Sequence, residues 1–217
     1  MQENFHQLPK RLFWSSYLAL QLKGQSQVPY WSQERLRKYQ GRAARRLIRF
    51  AARHVPWYRE LFKSGSFDPD GIRNVEDLSR LPVIAPLQVR RDPALFQPEG
   101  KALDTLRLVS SGTTGIPRWI DHDAAALFKN AAHGKRSGFF YSGVTAKSGN
   151  IREALIVAPL QSAVEKVHAF NRSRAWLPDR FMPDRIYLSL LDDMGEVVDA
   201  INEFKPHVIR SYGSGLN

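Results

Sequence analysis

The stretch IYLSLLDDMGEVVDAINEFKPHVIRSY, residues 186–212, decides the fold class, because it reads as strand, helix and strand in immediate succession. Ile186 to Leu191 is a short apolar run of strand length. Asp192 or Asp193 then opens a helix in which Met194, Val197, Val198, Ile201 and Phe204 keep the spacing of one helical face, and Pro206 stops it. His207 to Tyr212 supplies the next strand. Toward the amino terminus, a helix-like stretch and the polar, proline-containing segment Asn171 to Pro183 separate this unit from ALIVAPL, residues 154–160. A continuous apolar run bounded by Pro159 is typical of a strand buried on both faces. Strand, helix, strand, helix, strand is the order of a parallel α/β sheet, whose ligands sit at the carboxyl ends of the strands.

Further outward, Leu106, Leu108 and Val109 form a short strand that delivers SSGTTGIPR, Ser110 to Arg118. Gly112 and Gly115 let the backbone adopt positive φ and approach a ligand, while backbone N–H groups and the hydroxyls of Ser110, Ser111, Thr113 and Thr114 can converge on anionic oxygens. Pro117 closes the segment. This is not a Walker-type loop: two residues separate the glycines and no lysine follows. Arg118, Trp119, Ile120 and Asp121 alternate charged and bulky residues and read as a second strand. On composition alone, a surface hairpin turn without a ligand fits equally well.

Ser110 to Gly115, then any residue, Pro117 and the basic Arg118, resembles the phosphate-binding loop of the adenylate-forming enzymes: acyl-CoA ligases, luciferases and peptide-synthetase adenylation domains. Three other stretches resemble the phenylacetate–CoA ligase and CapK branch of that superfamily. They are RFAARHVPWYRELF (Arg49 to Phe62), DLSRLPVIAPLQVRRD (Asp77 to Asp92) and FKPHVIRSYGSGLN (Phe204 to Asn217). The resemblance spans nearly the whole chain and implies an N-terminal portion of such an enzyme. Residues 1–63 are then a basic amphipathic helical segment and residues 64–217 the first part of the α/β AMP-binding domain. The adenine-binding part, the small lid domain and the adenylation lysine are expected beyond Asn217, so the chain alone is expected to be inactive; the alternatives are a complete short protein and a non-catalytic truncated module or peripheral basic protein that binds anionic surfaces through residues 1–54.

The reaction the resemblance implies is activation of a carboxylic acid by Mg2+-bound ATP to an acyl-adenylate, followed by transfer of the acyl group to a thiol, usually CoA. Some relatives transfer it to a protein or sugar amine instead. By motif match, Ser110, Ser111, Gly112, Thr113, Thr114 and Gly115 hold the departing phosphates, Pro117 fixes the loop exit, and Arg118 stands where many members have lysine. An arginine keeps the charge but presents it as a planar fork rather than a point. Trp119 replaces a frequent glycine and Ile116 a lysine common in this branch. Tyr212, Gly213 and Ser214 match a family turn near the acyl substrate. Phe139, Phe140 and Tyr141 are candidates for the acyl pocket and equally for the core.

Composition agrees with an enzyme portion. The 217 residues are 43% apolar, contain no cysteine, and so exclude disulfides, thiolate catalysis and cysteine–zinc sites. No apolar run reaches the length of a membrane span; Leu12 to Leu22 is too short and carries two serines and a glutamine. With no secretory cleavage pattern, a cytoplasmic location is expected.

The net charge of +11 is concentrated in residues 1–54, which hold 11 basic and 2 acidic residues. There Leu36, Tyr39, Ala43, Leu47, Phe50, Ala51 and His54 recur at helical spacing, with arginines on the other faces and Gly41 as an interruption. A solvated outer face, peripheral contact with anionic lipid, or binding of nucleic acid all satisfy this pattern, with nucleic acid the least expected.

Other constellations are weak. Asp121, His122 and Asp123 alternate faces on a strand and do not converge on a metal. His54, His133, His168 and His207 lack ligand spacing and suit structural roles. Gly213–Ser214–Gly215 lacks the glycine that a nucleophile elbow needs at position 212. Asp192 and Asp193 fit helix capping better than a catalytic pair, and Asn74 is placed to cap a short helix containing Glu76 and Asp77.

Overall fold

The computed structural model describes residues 7–65, 67–100, 104–109, 119–136, 151–157, 163–176 and 184–211. These fall into two compact units, one built from 7–26, 106–109 and 124–211, the other from 27–105 and 119–123.

The first unit contains the parallel sheet. Its central strand, β3 (Arg152–Val157), lies between β4 (Asp184–Ser189) and β5 (Val208–Arg210), both parallel to it. Arg152 pairs with Asp184 and Val157 with Ser189, while Glu153 stands opposite Val208 and Leu155 opposite Arg210. Parallel neighbours require crossover connections. These contain α6 (Ala163–Arg174) between β3 and β4, and α7 (Met194–Phe204) between β4 and β5. The chain is therefore mixed α/β with a parallel sheet, as the strand–helix alternation predicts. Glu153, Ala154, Leu155 and Ile156 are all buried, the signature of a strand covered on both faces.

The boundaries of the quoted stretch follow from its caps. β4 begins two residues earlier than the apolar run suggests and ends at Ser189, whose N–H is taken by the Asp192 carboxylate at 2.8 Å as the chain turns. Asp193 caps α7 by accepting the Gly195 N–H at 2.8 Å, and Lys205, in the left-handed region at φ 51°, closes the helix before Pro206. Of the expected α7 stripe, Val197 is buried but Met194 and Val198 are exposed. Among the described residues the sheet has three strands, the third of three residues, and offers little apolar surface to cover a whole helical face.

The core of this unit joins α1 (Leu8–Leu22), α5 (Ala124–His133) and α6 through Trp14, Ala124, Leu127, Phe128, Phe170 and Ala175. Trp14 stacks on Phe128 with ring centroids 5.1 Å apart and planes 15° from parallel. Burying rings of this size contributes about 2–3 kcal/mol each.

In the second unit, α2 (Gln33–His54) starts at Ser32, whose hydroxyl accepts the Arg35 N–H, and Val55 and Pro56 turn the chain into α3 (Pro56–Lys63). The core contains Ala44, Ile48 and the fully buried Ile72, with Phe62, Phe67, Leu78 and Leu81 packed around them. The buried stripe of α2 is thus Gly41, Ala44, Ile48 and Ala51. This corrects the face read from sequence, of which only Ala51 is buried. Gly41 is no interruption: a Cβ there would lie 2.7 Å from the Arg73 carbonyl oxygen, so the glycine permits the helix to press against the 72–74 backbone.

That backbone is itself fixed. The Asp77 carboxylate accepts the N–H groups of Arg73 at 2.8 Å and Asn74 at 3.1 Å, which lower its pKa, and Asn74 Oδ1 accepts the Asp77 N–H at 3.0 Å. The short helix expected there is a 3-10 helix, Glu76–Arg80. A further short helix, α4 (Pro86–Arg91), follows. Among the described residues no helix is long and apolar enough to cross a membrane.

Candidate functional site

The strands expected on either side of the glycine-rich loop are both formed, β1 as Thr105–Val109 and β2 as Trp119–Asp123. Leu106 and Leu108 are partly buried and their neighbours exposed, the alternation of a strand with one face inward. The loop itself, Ser110, Ser111, Gly112, Thr113, Thr114, Gly115, Pro117 and Arg118, lies outside the described residues, as do Phe139, Phe140, Tyr141 and the turn Tyr212, Gly213, Ser214.

The three parallel strands end in Val157, Ser189 and Arg210. At this edge Asp192 and Asp193 are occupied with backbone: Asp192 holds the Ser189 N–H, Ser189 Oγ accepts the Leu191 N–H at 3.0 Å, and Asp193 caps α7. Both carboxylates therefore serve the turn, as read from sequence. In the sequence, residues 158–162 follow the carboxyl end of β3, and 212–214 follow that of β5 after Ser211.

At the other end of the sheet lies an ionic cluster that sequence reasoning did not single out. Glu153 on β3 has a side chain only 4% exposed, yet it is charge-paired twice. Arg185, directly opposite on β4 and 15% exposed, donates from Nε to Oε2 at 2.5 Å. Arg210 on β5, 48% exposed, reaches Oε1 at 3.2 Å. Arg185 Nη1 also lies against the ring of His168 on α6, 3.2 Å from Nδ1. Burial first, then Arg185 and Arg172, push the His168 pKa down to about 4. The ring is therefore neutral above that pH and can accept from the guanidinium.

Both Glu153 oxygens are engaged by arginines, Oε2 by Arg185 and Oε1 by Arg210. The cluster ties β4, β3, β5 and α6 together, and its chemistry is structural. His207 has a comparable role: its Nδ1 accepts the Arg152 N–H at 3.0 Å and its own N–H donates to the Arg152 carbonyl at 2.8 Å, pinning the start of β5 to β3. In the sequence Glu153 and Arg185 show only as charged residues immediately preceding apolar runs, ALIV in one case and IYL in the other, and their pairing comes from the strand register.

No protein-family model matches the chain. Over 91 residues the chain is 33% identical to a phenylacetate-coenzyme A ligase of Thermus thermophilus. That alignment takes in 41% of this chain and spans 20% of the length of the ligase.

Proposed function

We propose that this chain belongs to an ATP-dependent carboxylate ligase of the adenylate-forming type and contributes its phosphate-binding loop. The observation that carries the reading is the loop Ser110 to Arg118, placed between two strands in a chain that is partly similar to a phenylacetate-coenzyme A ligase. In the reaction a carboxylate oxygen attacks the α-phosphorus of Mg2+-bound ATP, the bond to the bridging oxygen breaks, and pyrophosphate leaves. The thiol sulfur of CoA then attacks the acyl carbon and AMP departs, with the thiol proton released to solvent. The loop's part is positioning and charge neutralisation on the leaving group: hydroxyls and N–H groups of Ser110 to Gly115 surround the phosphates, and Arg118 offsets their charge. Mg2+ and CoA enter as partners of the nucleotide and of the acyl group, and Tyr212 to Ser214 border the acid.

The test is nucleotide binding, followed by chemistry. A nucleotide present at about 100 times its Kd stabilises a single-site protein by about 2.7 kcal/mol, a rise of roughly 5–10 °C in Tm for a chain of this size. The expected result is such a rise with Mg-ATP and its loss in Gly112→Val combined with Thr113→Ala. The full-length gene product should also exchange pyrophosphate into ATP only when an acid substrate is present. An unchanged Tm with Mg-ATP, or a rise that survives both substitutions, overturns the assignment of the loop.

A further inference from the structure

α2 carries two apolar stripes. One, Gly41, Ala44, Ile48 and Ala51, is buried in the second unit. The other, Leu36, Tyr39, Ala43, Leu47 and Phe50, lies about a third of a turn round the helix by the 3.6-residue repeat. No residue of this second stripe is buried, Leu47 is 63% exposed and Phe50 48% exposed. Beside it run Arg42, Arg46, Arg49 and Arg53. Arg49 is paired with Asp70 at 2.8 Å, whereas Arg42, Arg46 and Arg53 make no ion pair among the described residues. Over its 22 residues α2 holds eight lysines and arginines against one acidic residue, Glu34.

We infer that this outer face of α2 docks on an anionic phospholipid surface. An apolar stripe flanked by cations along one side of a helix is what lies in a bilayer interface, with the stripe entering the acyl boundary and the guanidiniums meeting lipid phosphates. A second copy of the chain is disfavoured, because two such helices would bring like charges together. Nucleic acid would use the arginines but has no use for exposed Leu47 and Phe50. The inference is independent of the ligase reading, since it involves no residue of the loop.

The experiment measures co-sedimentation of the whole chain with vesicles of phosphatidylglycerol mixed with phosphatidylcholine, and with phosphatidylcholine alone. Binding is expected to the anionic vesicles only and to weaken as salt shortens the Debye length. Replacing Arg42, Arg46 and Arg53 together by Gln should weaken it on the order of 100-fold. Leu47→Gln with Phe50→Gln should weaken it at least about 10-fold. Because these side chains are exposed, Tm should hold in both variants, and a Tm check separates loss of binding from loss of fold. Absence of binding to the anionic vesicles overturns the inference. So does binding that both variants retain, a duplex-DNA affinity matching the vesicle affinity and unmoved by the Leu47 and Phe50 changes, or a concentration-dependent dimer that those changes abolish.

Discussion

Replacing Glu153 by Gln removes one charge from the amino end of the central strand while keeping the shape of the side chain. In the native protein the carboxylate faces Arg185 through Oε2 at 2.5 Å and Arg210 through Oε1 at 3.2 Å. Arg210 is half-exposed and can turn to water, so its share of the loss is small. Arg185 cannot: at 15% exposure its guanidinium keeps, among the described residues, the neutral His168 ring and one amide oxygen as partners. Removing one member of a buried pair costs about 3–5 kcal/mol, because the other charge stays desolvated. Allowing for the retained amide oxygen, the lower end of that range applies, about 3 kcal/mol. That corresponds to a fall of roughly 6–12 °C in Tm for a chain of this length. Changing both residues, Glu153→Leu with Arg185→Leu, removes the charges together and should restore most of the loss, leaving a deficit of about 1 kcal/mol or less. Urea denaturation followed by far-UV circular dichroism, with comparable m values across the variants, measures each step. A Glu153→Gln cost below about 1 kcal/mol, or a double variant less stable than the single one, refutes the argument that Arg185 depends on Glu153.

Two further predictions use the same readout, and two have been given with their proposals, for Mg-ATP stabilisation and for vesicle binding. Gly41→Ala should destabilise by about 1–2 kcal/mol in urea denaturation: alanine gains roughly 1 kcal/mol of helix propensity but its Cβ would lie 2.7 Å from the Arg73 carbonyl oxygen, and overpacking against backbone costs about 1–3 kcal/mol or more. Stability should also fall as the pH drops from about 6.5 toward 4, because His168 is held neutral in the folded state down to a pKa of about 4 while the unfolded chain binds the proton near the ordinary value. The folded state thus binds fewer protons in that window, and the loss attributable to His168, discounted for its partial exposure, is about 1 kcal/mol; His168→Gln should remove this component from the pH profile.

What was legible in the sequence was what local signals determine. Asp193 and Pro206 delimit α7, and the apolar run after Glu153 marks a strand buried on both faces. Strand–helix alternation then leaves parallel pairing as the economical arrangement. What was not legible depended on partners distant in the chain. Either apolar stripe of α2 satisfies the helical repeat, and only the position of Ile72 and the Arg73 carbonyl selects the one containing Gly41. A charged residue beside an apolar run reads locally as its boundary, and only the register that sets Arg185 opposite Glu153 makes the two a buried pair. The strands β1 and β2 were legible as the flanks of the glycine-rich stretch 110–118, which itself lies outside the described residues.

The amino and carboxyl ends of the parallel sheet are held by different devices. Glu153 and Arg185 are each the second residue of their strands, so the ionic tie closes the amino end of β3 and β4, and His207 pins β5 to the same end through Arg152. The pair fixes strand register at this end without drawing on residues farther along β3. Asp192 and Asp193, by contrast, leave the carboxyl end after shaping one turn, and residues 158–162 and 212–214 begin there. In an open parallel sheet that end is where ligands are received. Glu153 and Arg185 fix the register of β3 and β4 at the amino end, so substitutions at either residue should lower stability through the sheet rather than through the Asp192–Asp193 turn.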